Sequence, residues 1–329
     1  MHKLIPAAVI GVAVTALLLW LGPRPITPAE RPTGDPAQAA RIAGHVTPGH
    51  RNVSTFLLED GTVTFAGLGA DEHTEFEIGS VTKTFTAEIM ANQIAAGRIS
   101  EGTTVGDIID AGDSGLADVT LRELADHTSG LPRLPGGTWV AGILGATTGG
   151  NPYGGETRES VIADARADEL SDRGEEEYSN LGVALLGNLL AIEAGTTWEA
   201  LVDEQILTPL GMADTYVMTD GAVSAATPRG LTPAGREAQP WEMGGYNPAG
   251  GVRSTAADIA RYAEHLLDSG VPDYTWRTGE DGRPAHGGGT YGYSTMLILD
   301  PATGRAAYAA GDTATDVRDV AAALLEGEV

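Results

Sequence analysis

Two β-prone stretches stand near opposite ends of this 329-residue chain, and the signals between them are mostly helical. Near the start, "VSTFLLEDGTVTFAGLG" is two such runs joined at Asp60-Gly61, a strong hairpin dipeptide. Near the end, "GYSTMLILDPATGRAAYAAGD" is two more runs around a Pro-Ala-Thr-Gly turn, followed by the helix-compatible "TDVRDVAAALLEGE". In the middle, "TLREL" opens at Thr120 with Glu123 three residues on, and "STAADIARYAEHLL" opens at Thr255 with Asp258, both in the form of a capping box. "NLGVALLGNLLAIEAG" is an apolar helix stopped by Gly195, and "PAQAARIAGHV" a short amphipathic one. The pattern predicts an α/β (α+β) fold, with an antiparallel sheet built from both chain ends, flanked by helices, and a mostly helical lobe inserted. We place the α/β lobe at about 37–97 plus 275–329 and the helical lobe at about 98–274.

The net charge of −25 makes nucleic acid an unsuitable partner, because phosphate binding needs a basic face. With no cysteine, disulfides, thiolate metal sites and a cysteine nucleophile are excluded. The seven histidines form no His-Glu-x-x-His cluster, so neither a metal nor an organic cofactor is expected. Nothing indicates a protein partner or an oligomeric state.

Residues 1–22 carry the apolar run Leu4–Leu21, closed by Gly22 and Pro23. Its length is near the lower limit for crossing a bilayer and exceeds a usual signal-peptide core, so an uncleaved transmembrane anchor leads. A cleaved signal and a buried core helix are the alternatives. The proline-rich residues 23–36 read as a stiff tether to a domain spanning 37–329, which would lie outside the cytoplasm at the membrane or be secreted.

Within "FEIGSVTKTFTA" stands Lys83, one of two lysines among twenty basic residues; the other is Lys3. Ser80 lies three residues earlier, so on a helix the two side chains share a face. Ser80 would occupy the helix amino terminus, where free N–H groups favour an oxyanion. Arginine cannot lose its proton in a protein, whereas a partly buried lysine can exchange one. A surface Ser-x-x-Lys arises readily by chance, but the scarcity of lysine favours a nucleophile with its proton-exchanging partner.

"EEEYSNLGVALL" places Tyr178 and Asn180 at the mouth of a helix. A tyrosine beside an ammonium can act as general base, and an asparagine amide can orient a carbonyl. Alone, the pair also describes an ordinary helix entry. "AHGGGTYGYS" puts glycines ahead of a strand, suited to a flexible loop or to close ligand approach and an oxyanion hole.

Taken together, Ser80-x-x-Lys83, Tyr178-x-Asn180 and His286-Gly287-Gly288 resemble the serine β-lactamase and penicillin-binding-protein superfamily, in particular the class C β-lactamase and DD-carboxypeptidase-like serine hydrolases. "VTLRELADHTSGLPRLP", "ILTPLGMADT" and "NPAGGVRSTAADIARY" are similar to connecting stretches of that branch, and the resemblance covers about residues 40–325. It implies that Ser80 is acylated, with Lys83 and Tyr178 as proton-handling partners. It makes Asn180, His286, Gly287 and Gly288 substrate-binding, and gives the oxyanion hole to the N–H groups of Ser80 and Gly289. His127 and Ser129 of "HTSGLP" read as structural.

The expected activity is peptidase or carboxypeptidase action on D-amino-acid peptides, with carboxylesterase, class C-like β-lactamase or a silent acylated sensor as alternatives. Lysine is usual where His286 stands. An imidazole of ordinary pKa is largely neutral at pH 7, which predicts weak binding of substrate carboxylates and a gain as pH falls toward 6. Gly-Asp-Ser-Gly around Ser114 is superficially chymotrypsin-like, but the helical middle of the chain contradicts that fold.

Overall fold

The computed structural model describes residues 22–112, 114–134, 145, 148–279 and 281–327. The expected anchor at Leu4–Leu21 lies outside the described residues. Among those described, no single helix is long and apolar enough to cross a membrane.

The chain ends build one antiparallel seven-stranded sheet, as the strand pattern predicts. Its order is β1 (Pro32–Gly34), β3 (Thr62–Leu68), β2 (Val53–Glu59), β10 (Arg305–Gly311), β9 (Ser294–Asp300), β8 (Pro284–Gly289) and β7 (Arg277–Thr278). The two ends meet at β2 and β10, where Val53 pairs with Gly311 and Leu58 with Ala306. Asp60 and Gly61 adopt φ of 51° and 67°, as a tight hairpin with this twist requires. Alternation then sorts the sheet's side chains between two layers. Val53, Leu57, Met296, Ala307 and Ala309 pack with helices α1 (Pro36–Ala43) and α5 (Arg318–Glu326). Phe56, Leu58, Leu297, Leu299 and Tyr308 join the main core on the other face.

That core holds two helices with almost no exposed side, α2 (Thr82–Ala95) and α3 (Asn180–Glu193). Both are buried nearly all round, so no apolar stripe marks a face. Helix α4 (Ala256–Ser269) lies within the span assigned to the helical lobe, yet it packs against β2 and β10. The lobes are therefore interleaved rather than split at residue 274. Thr120 and Glu123 form the expected capping box, whereas at α4 only half forms. Asp258 instead turns to Asp214 N and Thr215 Oγ1, tying the "MADT" segment to the helix.

The proline-rich stretch is not a free spacer along its whole length. Residues 32–34 form an edge strand on β3, Ala29 N donates to Arg51 O, and Arg24 N donates to Ala234 O. A small second sheet, β4 (Phe76–Glu77), β6 (Val252–Ser254) and β5 (Tyr216–Val217), delivers the chain directly into Gly79 and Ser80.

Candidate active site

Ser80 sits in the 3₁₀ turn Gly79–Val81, which runs without a break into α2. That junction sets the Ser80–Lys83 pair: Lys83 Nζ donates to Ser80 Oγ at 3.1 Å. The lysine is 0% exposed, and two further acceptors surround it, Asn180 Oδ1 at 2.9 Å and the Ala249 carbonyl at 2.5 Å. Three acceptors match the three N–H bonds of an ammonium. Burial lowers the Lys83 pKa, Tyr178 draws it back up through charge and hydrogen bonding, and Arg133 lowers it; the net direction is downward. A lysine so placed can give up and recover a proton.

Tyr178 stands over this group, its ring centroid 5.0 Å from Lys83 Nζ. Burial pushes its phenol up, but the Lys83 ammonium, hydrogen bonding with Lys83 and Ser80, and Arg133 together bring it below the usual phenol value. Arg133 and Arg277 flank the same ring at 5.2 and 5.3 Å. Both groups are thus shifted below their ordinary values, and they titrate as a pair. His127 packs on Tyr178 with centroids 4.5 Å apart, and its Nδ1 accepts from Ser179 N at 3.2 Å. The expected structural role of His127 is thereby given a place: it seats the tyrosine. Ser129 Oγ accepts from Leu131 N within the same loop.

Asn180 opens α3, where Ser179 caps the helix. Its oxygen faces Lys83 and its Nδ2 donates to Tyr153 Oη at 3.0 Å. One amide N–H therefore remains for a substrate carbonyl.

The third motif lies on β8, whose outer neighbour β7 pairs only with Pro284 and Ala285. The edge at Gly287–Gly289 has no strand beside it among the described residues. His286 and Gly288 share the face toward Ser80. Close packing there demands glycine: a Cβ on Gly288 would lie 1.9 Å from Ile78 O, and one on Gly79 (φ +50°) 2.5 Å from Gly289 N. The backbones carrying Ser80 and Gly289 are thus held against each other, the juxtaposition an oxyanion hole needs.

His286 departs from the expectation. It is 2% exposed, its Nδ1 faces Gly287 O at 2.9 Å, and burial together with the Lys83 charge brings its pKa down to about 3. It stays neutral through pH 6, so no gain in carboxylate binding arises from its protonation there. The cations facing the groove are instead Arg277, Arg318 and Arg133, which line a cavity of about 540 Å³ with Tyr178, His286 and Ser294. On the other side of Ser80, Tyr153, Trp241, Tyr246 and Tyr291 line a narrower pocket of about 210 Å³ with Leu134 and Met243.

Sequence reading missed Arg133, Arg277, Arg318, Tyr153, Trp241 and Ala249 as parts of the site. Arg133 and Ala249 stood inside the "GLPRLP" and "NPAGG" stretches read as connections. The others carry no local signal. Ser114 Oγ donates to Ala111 O and supplies no nucleophilic arrangement.

Comparisons with known proteins agree with this geometry. The Beta-lactamase family model matches residues 39–326. Penicillin-binding protein 4 of Amycolatopsis lactamdurans is 28% identical over 250 residues, which cover 72% of this chain and 61% of that one. The D-alanyl-D-alanine-carboxypeptidase/endopeptidase AmpH of Escherichia coli (strain K12) is 30% identical over 198 residues, 58% of this chain and 49% of that protein. The chain thus spans only about half to three-fifths of the length of these curated relatives. Among solved structures, a D-stereospecific amidohydrolase from Streptomyces sp. superposes with a TM-score of 0.73 at 20% identity, over 89% of this chain and 98% of that one. A beta-lactamase/D-alanine carboxypeptidase from Pseudomonas syringae gives 0.72 at 15% identity, over 89% and 98%. The match across nearly the whole domain places this chain in the beta-lactamase family of serine hydrolases.

Proposed function

We propose that the protein is an extracytoplasmic serine hydrolase that forms an acyl-enzyme on Ser80 and cleaves D-amino-acid peptides as a carboxypeptidase. The observation that carries this is the Ser80–Lys83–Tyr178 cluster, with Lys83 buried and Ser80 and Tyr178 half-buried at the head of a groove with Arg277 and Arg318. Ser80 Oγ attacks the carbonyl and its proton passes to the Lys83–Tyr178 pair. The Ser80 and Gly289 N–H groups receive the developing oxyanion, and Asn180 Nδ2 meets the substrate carbonyl. The pair returns the proton to the leaving amine, and water then releases the acyl group. The open edge of β8 suits an extended substrate backbone, and the arginines suit a terminal carboxylate on the leaving side. The names of AmpH and of the Streptomyces amidohydrolase support the D-amino-acid direction. The apolar run Leu4–Leu21 supports a membrane anchor with the catalytic domain outside; full-length protein in the soluble cytoplasmic fraction would refute that part.

The aromatic pocket favours carboxylesterase as the second reading, since a ring-lined cavity takes an apolar acyl group without any carboxylate. A panel of D-Ala-D-Ala peptides, D-amino-acid amides, short-chain esters and nitrocefin separates these. Peptide turnover supports the carboxypeptidase reading, and turnover of esters alone replaces it with esterase. Nitrocefin hydrolysis exceeding both restores a β-lactamase, and one acylation burst without turnover marks a sensor.

A further inference from the structure

Asn180 is an amide, and an amide in a buried site has two ends of opposite hydrogen-bonding character. Lys83 needs an acceptor there, because an ammonium offers only donors. The oxygen faces Lys83 at 2.9 Å, and the nitrogen is taken by Tyr153 Oη at 3.0 Å. All three residues are buried, with Lys83 at 0%, Tyr153 at 5% and Asn180 at 8% exposure. Tyr153 comes from the loop before residue 156, remote in sequence from both partners. Its ring is held by Trp241 and Tyr246, with centroids 5.2 and 5.1 Å away. The oxygen that meets Asn180 is therefore fixed by the packing of the aromatic pocket.

We propose that Tyr153 is a positioning residue that anchors the Asn180 amide with its oxygen held toward Lys83, and so joins the aromatic pocket to the proton-exchanging pair. Its phenolic oxygen accepts from Asn180 Nδ2. The hydroxyl proton is then free to point into the pocket, where an acceptor on the acyl side of the substrate can take it. The Lys83 ammonium, which can only donate, selects the oxygen end of the amide, and Tyr153 Oη anchors the Nδ2 end so that the oxygen stays aimed at Lys83. With phenylalanine at 153 the Nδ2 end loses that partner. The amide loses its lock, Lys83 loses a dependable acceptor, and its charged form becomes harder to keep in a buried site.

The composition supplies a direct probe. Lys3 and Lys83 are the only lysines, so a full-length Lys3→Arg protein grown with ¹³C-lysine carries a single labelled side chain. The titration of its Cε signal reads Lys83 without any substrate. The groups acting on it are Tyr178, which shares the titration, Arg133, which stays charged, and His127 and His286, both held near pKa 3 and neutral above pH 5. Tyr153→Phe removes only the hydroxyl and keeps the ring in its aromatic contacts. We expect the midpoint to fall by roughly one pH unit, the size of one hydrogen bond to a charged group. The pH profile of acylation should move with it, equally for small and bulky acyl groups.

Two further variants keep the result decisive. Trp241→Phe loosens the packing that holds the Tyr153 ring, so it should change KM for bulky acyl groups and move the Lys83 midpoint in the same direction as Tyr153→Phe but by less. Asn180→Ala removes the amide that Tyr153 anchors, so in that background Tyr153→Phe should no longer move the midpoint. A midpoint unmoved by Tyr153→Phe in the Lys3→Arg protein overturns the proposal and leaves Tyr153 as pocket wall. The role of Tyr153 in acylation rests on the serine-hydrolase reading, but the titration does not. A wild-type protein that never acylates refutes that reading, and an acylating one with an unmoved midpoint refutes only this inference.

Discussion

On one side of Ser80 the cleft is closed by the touching rings of Tyr153, Trp241 and Tyr246; on the other it opens along β8 past Arg277 and Arg318. The closed side offers shape and apolar surface, with little charge beyond Arg133 and Glu156 at its lining. The open side offers guanidinium groups in a chain whose net charge is −25. The comparison teaches that the two walls of one cleft offer a substrate different physics. On the carboxypeptidase reading proposed above, fit and desolvation would select the acyl half, and charge the leaving half. Between the two walls stands the Lys83–Tyr178 pair, which in that reading serves both.

The largest effect comes from breaking what the two sides share. Lys83→Arg keeps the charge and loses the exchangeable proton, so acylation should drop by about 10²–10⁴-fold on every substrate. Tyr178→Phe should fall by a similar factor while retaining the ring between Arg133 and Arg277. Intact-mass detection of the acyl-enzyme, with circular dichroism to check the fold, reads both variants. An active Lys83→Arg protein would show that the lysine is only a charge.

A crossed pair of variants then tests whether the sides are separable. Replacing Arg277 and Arg318 together by alanine should reduce kcat/KM for carboxylate-bearing peptides by roughly 10–150-fold, the span of a charge-assisted hydrogen bond, with simple esters little changed. Trp241→Ala should do the reverse, penalising bulky acyl groups by at least about tenfold, as loss of a large apolar contact does. If both variants weaken all substrates alike, the distinction between the two walls collapses.

The smallest effect separates His286 from the arginines. Its folded pKa of about 3 lies below the ordinary 6.5, as does that of His127. The unfolded chain therefore binds protons that the folded one refuses. The stabilising contribution is full above pH 6.5 and is lost as pH falls toward 3, at most about 1.4 kcal/mol per pH unit for each imidazole. His286→Asn should make the melting temperature less sensitive to pH between 6.5 and 5 than in the wild type. Carboxylate binding by the wild type should show no step near pH 6, and an NMR titration of the His286 ring gives the direct check. A midpoint near 6 would return the carboxylate to His286.

Much of the frame was legible in the chain because its signals are local. Asp60-Gly61 names its own turn, Thr120 and Glu123 name their own cap, and Ser80 and Lys83 share a face by spacing alone. Tyr178, Asn180 and the His286 motif were legible as a set through their resemblance to a family. The division into lobes failed at α4, since nothing in an amphipathic period says which layer its apolar face will meet.

What the tertiary structure alone decided is the environment of each group. Lys83 meets Asn180 across 97 residues and Ala249 across 166; burial lowers its pKa, while these acceptors hold its charged form. His286 has the same imidazole in any sequence reading. Packing beneath β8 turns it from a titrating group near pH 6 into a neutral one. Arg277 and Arg318 look like any other arginines until sheet and helix bring them to one groove. Turn chemistry and helical spacing are properties of neighbours along the chain, so sequence carries them. Desolvation and long-range hydrogen bonds depend on what folding brings together, so only the packed molecule has them.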